Sequence, residues 1–99
     1  MSDKIQIHVD ASLRELVPSF IAARRKDLEA LRRALHAGDL AGVRSVGYNI
    51  RAFSRLYGFE ELTALGEQLE VAAQEASTLR IVHLQGRVAD YLDRIEVGD

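Results

Sequence analysis

The 99-residue chain contains no cysteine and no tryptophan, has a single proline, and carries a formal net charge of −2. The absence of cysteine excludes disulfide bonds, thiolate metal sites and thiol nucleophiles, and it fits a reducing compartment. The near-neutral balance argues against nucleic acid as a partner, because duplex binding usually needs a clear basic excess. No apolar run approaches the roughly 20 residues that span a bilayer, and "MSDKIQIHVD" lacks a signal-peptide layout. A cytoplasmic protein without a membrane partner is therefore expected.

The residues that are present predict one helical domain spanning 1–99. Hydrophobic residues make up 47% of the chain and charged residues 28%, as in ordinary globular domains. Strand signals are nearly absent. The segment "IQIHV" alternates, but the sequence offers it no later partner strand, so residues 1–10 are expected to form an extended arm.

Turn and capping signals divide the remaining chain into helices. Ser12 with Glu15 predicts a capping box for a short helix over about 11–17. Pro18 is expected to open the next helix, where its missing N–H matters little. That helix is expected to end at Gly38, with Asp39 capping its successor.

Apolar residues then recur at spacings of three and four, which predicts amphipathic helices that bury one side. The pattern indicates an all-α fold: an antiparallel up-down-up-down four-helix bundle with a short extra N-terminal helix and no sheet. The predicted long helices span about 18–36, 40–57, 60–76 and 78–95, and Ala76 is expected to face inward at the end of the third. Gly47 and Gly66 are expected to lie at close helix contacts, because small residues let backbones approach.

One face of the segment 40–57 carries Arg44, Tyr48, Arg51 and Arg55 in steps of four, three and four. This row lies about 100° around the helix from the apolar seam, with Ala52 one turn beyond the tyrosine. Such a row is commonly just the solvent-exposed face of a helix, with a tyrosine whose hydroxyl contacts water. It is also the composition of a docking face, because tyrosine and arginine are enriched at binding hot spots.

The string "GYNIRA" followed by Gly58 resembles the motif of bacterial histidine-containing phosphotransfer (Hpt) domains of two-component phosphorelays. That motif reads small residue, histidine, any residue, aliphatic, lysine, glycine, and a further glycine six positions on. The flanking segments "DASLRELVPSFIAARRKDLEALRRAL", "YGFEELTALGEQLEVAA" and "VHLQGRVADYLDRI" are similar to the family as well. The resemblance implies a helical bundle that binds a response-regulator receiver domain or a histidine kinase.

The chain departs from the family at the centre of the motif. Tyr48 stands where the family has its phosphorylated histidine, Arg51 replaces the lysine, and Ala52 replaces the glycine. Phe53 replaces the next small residue, so Ala52 and Phe53 are expected to crowd the approach of a phosphoryl group. A tyrosine hydroxyl, with a pKa of about 10, is protonated at neutral pH, and no general base is visible in the row. A tyrosyl phosphate ester would also be too stable to pass on.

These substitutions predict a degenerate, pseudo-Hpt module that is not an enzyme and has no catalytic residue, cofactor or metal. The partner-binding residues are expected to be Arg44, Tyr48, Arg51, Ala52 and Arg55, and the protein is expected to be monomeric. It would act as an adaptor, competitor or regulator.

Two alternatives stay open. One is an active phosphotransfer protein that uses another residue. His8, His36 and His83 are available, but each lies outside the motif, and they are too dispersed to suggest a metal site. The other is a structural bundle that dimerises through a surface containing Tyr48 and Phe53.

Overall fold

The computed structural model describes residues 3–98 and confirms the four-helix bundle. Within that range the helices are connected in sequence and pack as adjacent neighbours around one core, with α1 also contacting α4. None of these helices is long and apolar enough to cross a bilayer. The elements are β1 (Ile5–His8), a 3-10 helix (Ala11–Leu16), α1 (Val17–His36), α2 (Leu40–Tyr57), α3 (Glu60–Gln74), α4 (Thr78–Arg94) and β2 (Ile95–Gly98).

The start of the helical region differs in one detail from its prediction. The short helix is present as a 3-10 helix, and Pro18 lies in the first turn of α1 as expected. The predicted capping box at Ser12 and Glu15 is wrong. The carboxylate of Asp10 caps the 3-10 helix instead, accepting a hydrogen bond from the Ser12 backbone N–H at 2.9 Å. A carboxylate is a strong cap, and it lies immediately before the first helical residue.

The two turns that bound α2 follow the sequence signals. Gly38 and Gly58 have φ of 69° and 79°, the left-handed region that ends helices at little cost only for glycine. The Asp39 carboxylate accepts from the Gly42 N–H at 2.9 Å and caps α2. At the end of α3, Ala76 also has a positive φ, 54°, and is exposed. The prediction that α3 extends to Ala76 and buries it is therefore wrong.

The bundle core contains the apolar positions that the spacing singled out. Fully enclosed side chains come from all four helices: Leu31, Val43, Ile50, Leu62, Leu69, Ile81 and Val88. Burying an aliphatic side chain of this kind contributes about 1.5–3 kcal/mol each. The core therefore fixes how α2 and α3 present their outer surfaces.

A small parallel sheet joins the two ends of the described chain, and the prediction of no sheet is wrong. β1 pairs with β2 in the register Ile5↔Ile95 to His8↔Gly98. Ile5, Ile7, Ile95 and Val97 pack, partly buried, against the core. The partner strand is too short to show a pattern of its own, since "IEVG" offers only two apolar alternations and follows α4 directly.

The core also contains a buried charge. Arg24, on the inner side of α1, is only 5% exposed. Its guanidinium carbon lies 5.0 Å from the ring centroid of Phe20 and 4.9 Å from that of Phe53 on α2. Its Nε donates to Asp27 at 2.7 Å. Burial raises the pKa of the Asp27 carboxyl, and Arg24 opposes that rise through its charge and hydrogen bond.

Candidate docking site on helix α2

Two glycines bring α3 directly against α2. A Cβ added to Gly66 would lie 2.5 Å from the Arg51 backbone nitrogen and 2.7 Å from the Gly47 carbonyl oxygen. One added to Gly47 would lie 2.9 Å from the Gly66 carbonyl oxygen. The predicted close contact at these glycines is confirmed, because no real Cβ fits at such distances. As a result, side chains of α3 reach the face of α2 that carries Tyr48.

Tyr48 projects from the middle of α2 and is 54% exposed, as expected from its spacing. The position of its ring is restricted, because the Arg51 guanidinium carbon lies 5.1 Å from the ring centroid. A cation at this distance from an aromatic face is attracted to it. The aromatic ring is thus exposed and yet supported from one side.

Arg51 is in turn fixed by Glu70 of α3. Its Nε and Nη2 donate to the two carboxylate oxygens of Glu70, the second bond measuring 3.3 Å. Hydrogen bonding to Glu70 is the main reason that the pKa of the Arg51 guanidinium is raised. A two-point arginine–carboxylate contact is both strong and geometrically specific. Tyr48, Arg51 and Glu70 therefore form one supported unit, which we call the tyrosine stack.

The expected solvent-facing row is correct for three of its four members. Arg44, Tyr48 and Arg55 are exposed, whereas Arg51 is half-buried because it lies against Glu70. Among residues 3–98, neither Arg44 nor Arg55 has an acidic side chain within ion-pair distance. The free positive charge at the site thus belongs to Arg44 and Arg55, and the charge of Arg51 is balanced.

Two shallow grooves between α2 and α3 flank the tyrosine stack. One, of about 310 Å³, contains the three arginines of the row together with Glu67 and Glu70. The other, of about 610 Å³, extends from Tyr48 toward the start of α2 and the end of α3. Its lining includes Leu40, Ala41, Ser45, Asn49, Ala73 and Gln74. The surface around Tyr48 can therefore receive the side chains of a partner.

The two residues that were expected to crowd Tyr48 lie in different places. Ala52 is half-buried one turn along α2, beside the row. The ring of Phe53 lies over Arg24 of α1 and is 46% exposed. Phe53 is about 140° around the helix from Tyr48, so the expectation that its ring obstructs the Tyr48 position is wrong. It belongs to the α1 side of the helix, and Tyr48 belongs to the α3 side.

The three histidines are exposed on separate elements: His8 on β1, His36 in the last turn of α1, and His83 on α4. In the described part of the chain, no group of three or more histidine, aspartate or glutamate side chains is arranged to hold a metal ion. No histidine therefore lies in the tyrosine stack or beside it.

Comparisons with protein-family models, with curated proteins and with solved structures gave no match for this chain. The resemblance to Hpt domains stays a prediction from the motif and its flanking segments.

Proposed function

We propose that the protein is a docking module of a two-component phosphorelay: an Hpt-like bundle that binds a response-regulator receiver domain without relaying phosphate. The observation that carries the proposal is the exposed Tyr48, supported by Arg51 and Glu70 at the position where the resemblance places a phosphoacceptor histidine. The bundle presents this residue at mid-helix, on its outer face, between two grooves.

The chemistry of Tyr48 supports docking over transfer. Phosphorelay needs a nucleophile whose phosphorylated form is close in energy to an aspartyl phosphate, and a neutral imidazole meets that need. A protonated phenol is a weak nucleophile without an adjacent base. Among the described residues, the cation over the Tyr48 ring is Arg51, which cannot accept a proton, and the nearby carboxylate of Glu70 accepts hydrogen bonds from Arg51. The module is therefore not an enzyme in this proposal and needs no cofactor.

The charge distribution supports a receiver as the partner. A receiver domain presents an acidic phosphorylation pocket, and Arg44 and Arg55 offer exposed positive charge on either side of Tyr48. Such complementarity raises the association rate and selects the partner. Arg51 plays a different part: because Glu70 balances its charge, it positions the Tyr48 ring. A ring that is held before binding loses less freedom when the complex forms.

A second candidate is a bundle that dimerises, and exposed apolar residues on the other flank of α2 favour it. Phe53 is 46% exposed and Leu56 is 69% exposed. Phe53 and Leu56 lie about 140° and about 80° around α2 from Tyr48, so a dimer formed through them would not be centred on Tyr48. Sedimentation equilibrium of the wild type and of Leu56→Ser separates this function from docking: a dimer that Leu56→Ser dissociates would support it.

The docking proposal is tested by measuring affinity for receiver domains encoded in the same genome. Tyr48→Ala removes the aromatic anchor and should weaken binding by about 2 kcal/mol, or about 30-fold. Arg55→Glu should slow association in low salt, and the effect should fade as salt is added. Arg51→Ala should change the association rate little and should raise the dissociation rate, because the Tyr48 ring loses its support.

The matched control is Arg87→Ala, which removes an exposed arginine from α4. It should leave receiver affinity unchanged. If Arg87→Ala abolishes binding while Tyr48→Ala and Arg55→Glu do not affect it, the docking surface is not on α2 and the proposal is wrong.

A further inference from the structure

A separate groove runs along the first strand. Its lining includes all four residues of β1, together with Gly58, Glu60, Glu61 and Tyr91. Its volume is about 270 Å³, and it shares no residue with the grooves beside Tyr48. Since no residue of β2 lines it, the groove lies on the side of β1 that faces away from β2.

The backbone of β1 has unused hydrogen-bonding groups on that side. In a parallel pair, alternate residues direct their N–H and C=O groups toward the neighbouring strand, and the others direct them away. Between residues 3 and 98, no backbone hydrogen bond joins β1 to any segment other than β2. The outer edge of β1 is therefore an open template for another strand. A sheet of only two strands is marginal alone, so a third strand would strengthen it.

The wall opposite β1 is acidic. Glu60 and Glu61 form the first turn of α3, and both are exposed. In the described range neither carboxylate has an ion-pair partner. Both glutamates line the groove beside the open strand edge, so the groove favours a segment that carries positive charge.

Tyr91 of α4 adds an unsatisfied polar group to the groove lining. Its side chain is only 1% exposed, and its hydroxyl has no hydrogen-bond partner among the described residues. Burial, and to a smaller degree the charge of Glu61, raises the pKa of Tyr91 to about 12. The group is therefore a protonated donor, and buried donors normally have a partner. A polar group that reached it from the groove would supply one.

We propose that the outer edge of β1 binds an extended, lysine- or arginine-bearing segment of a partner protein as an added strand. Main-chain hydrogen bonds to β1 would provide the common part of the affinity, and Glu60 and Glu61 would select basic side chains. This surface is independent of the receiver-docking face around Tyr48.

The test uses the full chain and a short acetylated and amidated peptide that alternates valine with lysine. Two control peptides isolate the two contributions: one has glutamate in place of lysine, and the other keeps lysine but carries N-methyl groups on alternate backbone nitrogens. The lysine peptide should bind, and both controls should bind at least about tenfold more weakly. Amide hydrogen exchange at residues 5–8 should slow only with the lysine peptide.

A protein variant checks the acidic wall. Glu60→Gln combined with Glu61→Gln should weaken peptide binding about tenfold, since two exposed charge pairs are lost. Glu67→Gln, an exposed glutamate further along α3, should not weaken it. The proposal is overturned if the N-methylated peptide binds as well as the lysine peptide, or if the β1 amides show no new protection. It is also overturned if the chain dimerises through β1 and the peptide does not dissociate that dimer.

Discussion

Replacing Gly66 by alanine tests how α3 is held against α2. The added methyl group would lie 2.5 Å from the Arg51 nitrogen, 2.7 Å from the Gly47 oxygen and 3.0 Å from the Arg51 Cα. All three are backbone atoms in the middle of a helix, so no side chain can rotate away to make room. The helices must separate by a few tenths of an ångström or more at their closest contact.

Two opposing effects set the magnitude. Alanine in a helix interior is favoured over glycine by about 1 kcal/mol. Overpacking a well-filled contact costs about 1–3 kcal/mol and occasionally more. Because the clash is with rigid backbone on the facing helix, the upper part of that range applies. Gly66→Ala should therefore lower the free energy of unfolding by about 2 kcal/mol.

Gly86 is the matched control, since it is exposed on α4 and an added Cβ would meet no atom within 4 Å. Gly86→Ala should raise the free energy of unfolding by about 0.5–1 kcal/mol. Urea unfolding followed by circular dichroism measures both variants. If Gly66→Ala is as stable as Gly86→Ala, the α2–α3 contact is not as close as described, and the support that Glu70 gives to Arg51 loses its basis.

Three further predictions concern the buried charge, the buried phenol and the absence of relay. Arg24→Ala should lower the free energy of unfolding by about 3 kcal/mol, because it leaves the carboxylate of Asp27 without its partner. Adding Asp27→Ala should recover part of that loss. If urea unfolding shows no recovery, the pairing is contradicted. The pKa of Tyr91 rises from 10.0 to about 12 on folding, so the folded state keeps this proton at pH values where the unfolded state loses it. The free energy of unfolding should therefore fall by about 2–3 kcal/mol as the pH rises from 10 to 12. Tyr91→Phe should lack this alkaline loss, and equal pH profiles for the two proteins would refute it. Incubation with a phosphorylated receiver should leave no acid-labile phosphate on the wild type. Tyr48→His should recover little phosphotransfer, because Ala52 still adds a methyl group where the family has glycine. Transfer by the wild type at the rate of an active Hpt domain would contradict the proposal.

Local sequence signals predicted the features of α2 that depend on residues within a few turns of one another. Gly38, Asp39 and Gly58 each fix a turn through their own backbone or cap chemistry, so the bounds of α2 were predictable. The exposure of Tyr48 followed from helical spacing alone. The close approach of Gly66 to Gly47 was also predictable, because small residues at facing positions allow backbones to meet.

Contacts between distant parts of the chain were not predictable in this way. Glu70 binds Arg51 across a helix interface, and no local pattern pairs one glutamate of α3 with one arginine of α2. Its position on α3, one turn after Gly66, is the only hint that it reaches the same face. The pairing of β1 with β2 joins the two ends of the described chain, where loop-closure entropy opposes contact and neither strand has a strong pattern.

The burial of Arg24 was not predictable from the sequence for a different reason. An arginine on the apolar side of α1 is ordinarily read as a residue whose charged head reaches solvent. Here its burial depends on Phe20 and Phe53 enclosing the guanidinium from two helices, and on Asp27 accepting its hydrogen bond. The presence of an acceptor three residues away was visible in the sequence, but the enclosing ring on α2 was not.

In the proposed function, Tyr48 lies at the centre of a receiver-docking face. The most direct measurement is a titration of the isotope-labelled protein with receiver domains of its genome, followed by amide chemical shifts. A binding receiver should shift the amides of α2 around Arg44, Tyr48 and Arg55 and those of α3 around Glu70, and it should leave the amides of α4 near Arg87 unaffected. Shifts centred on α4, or no binding to any receiver in the set, would contradict it.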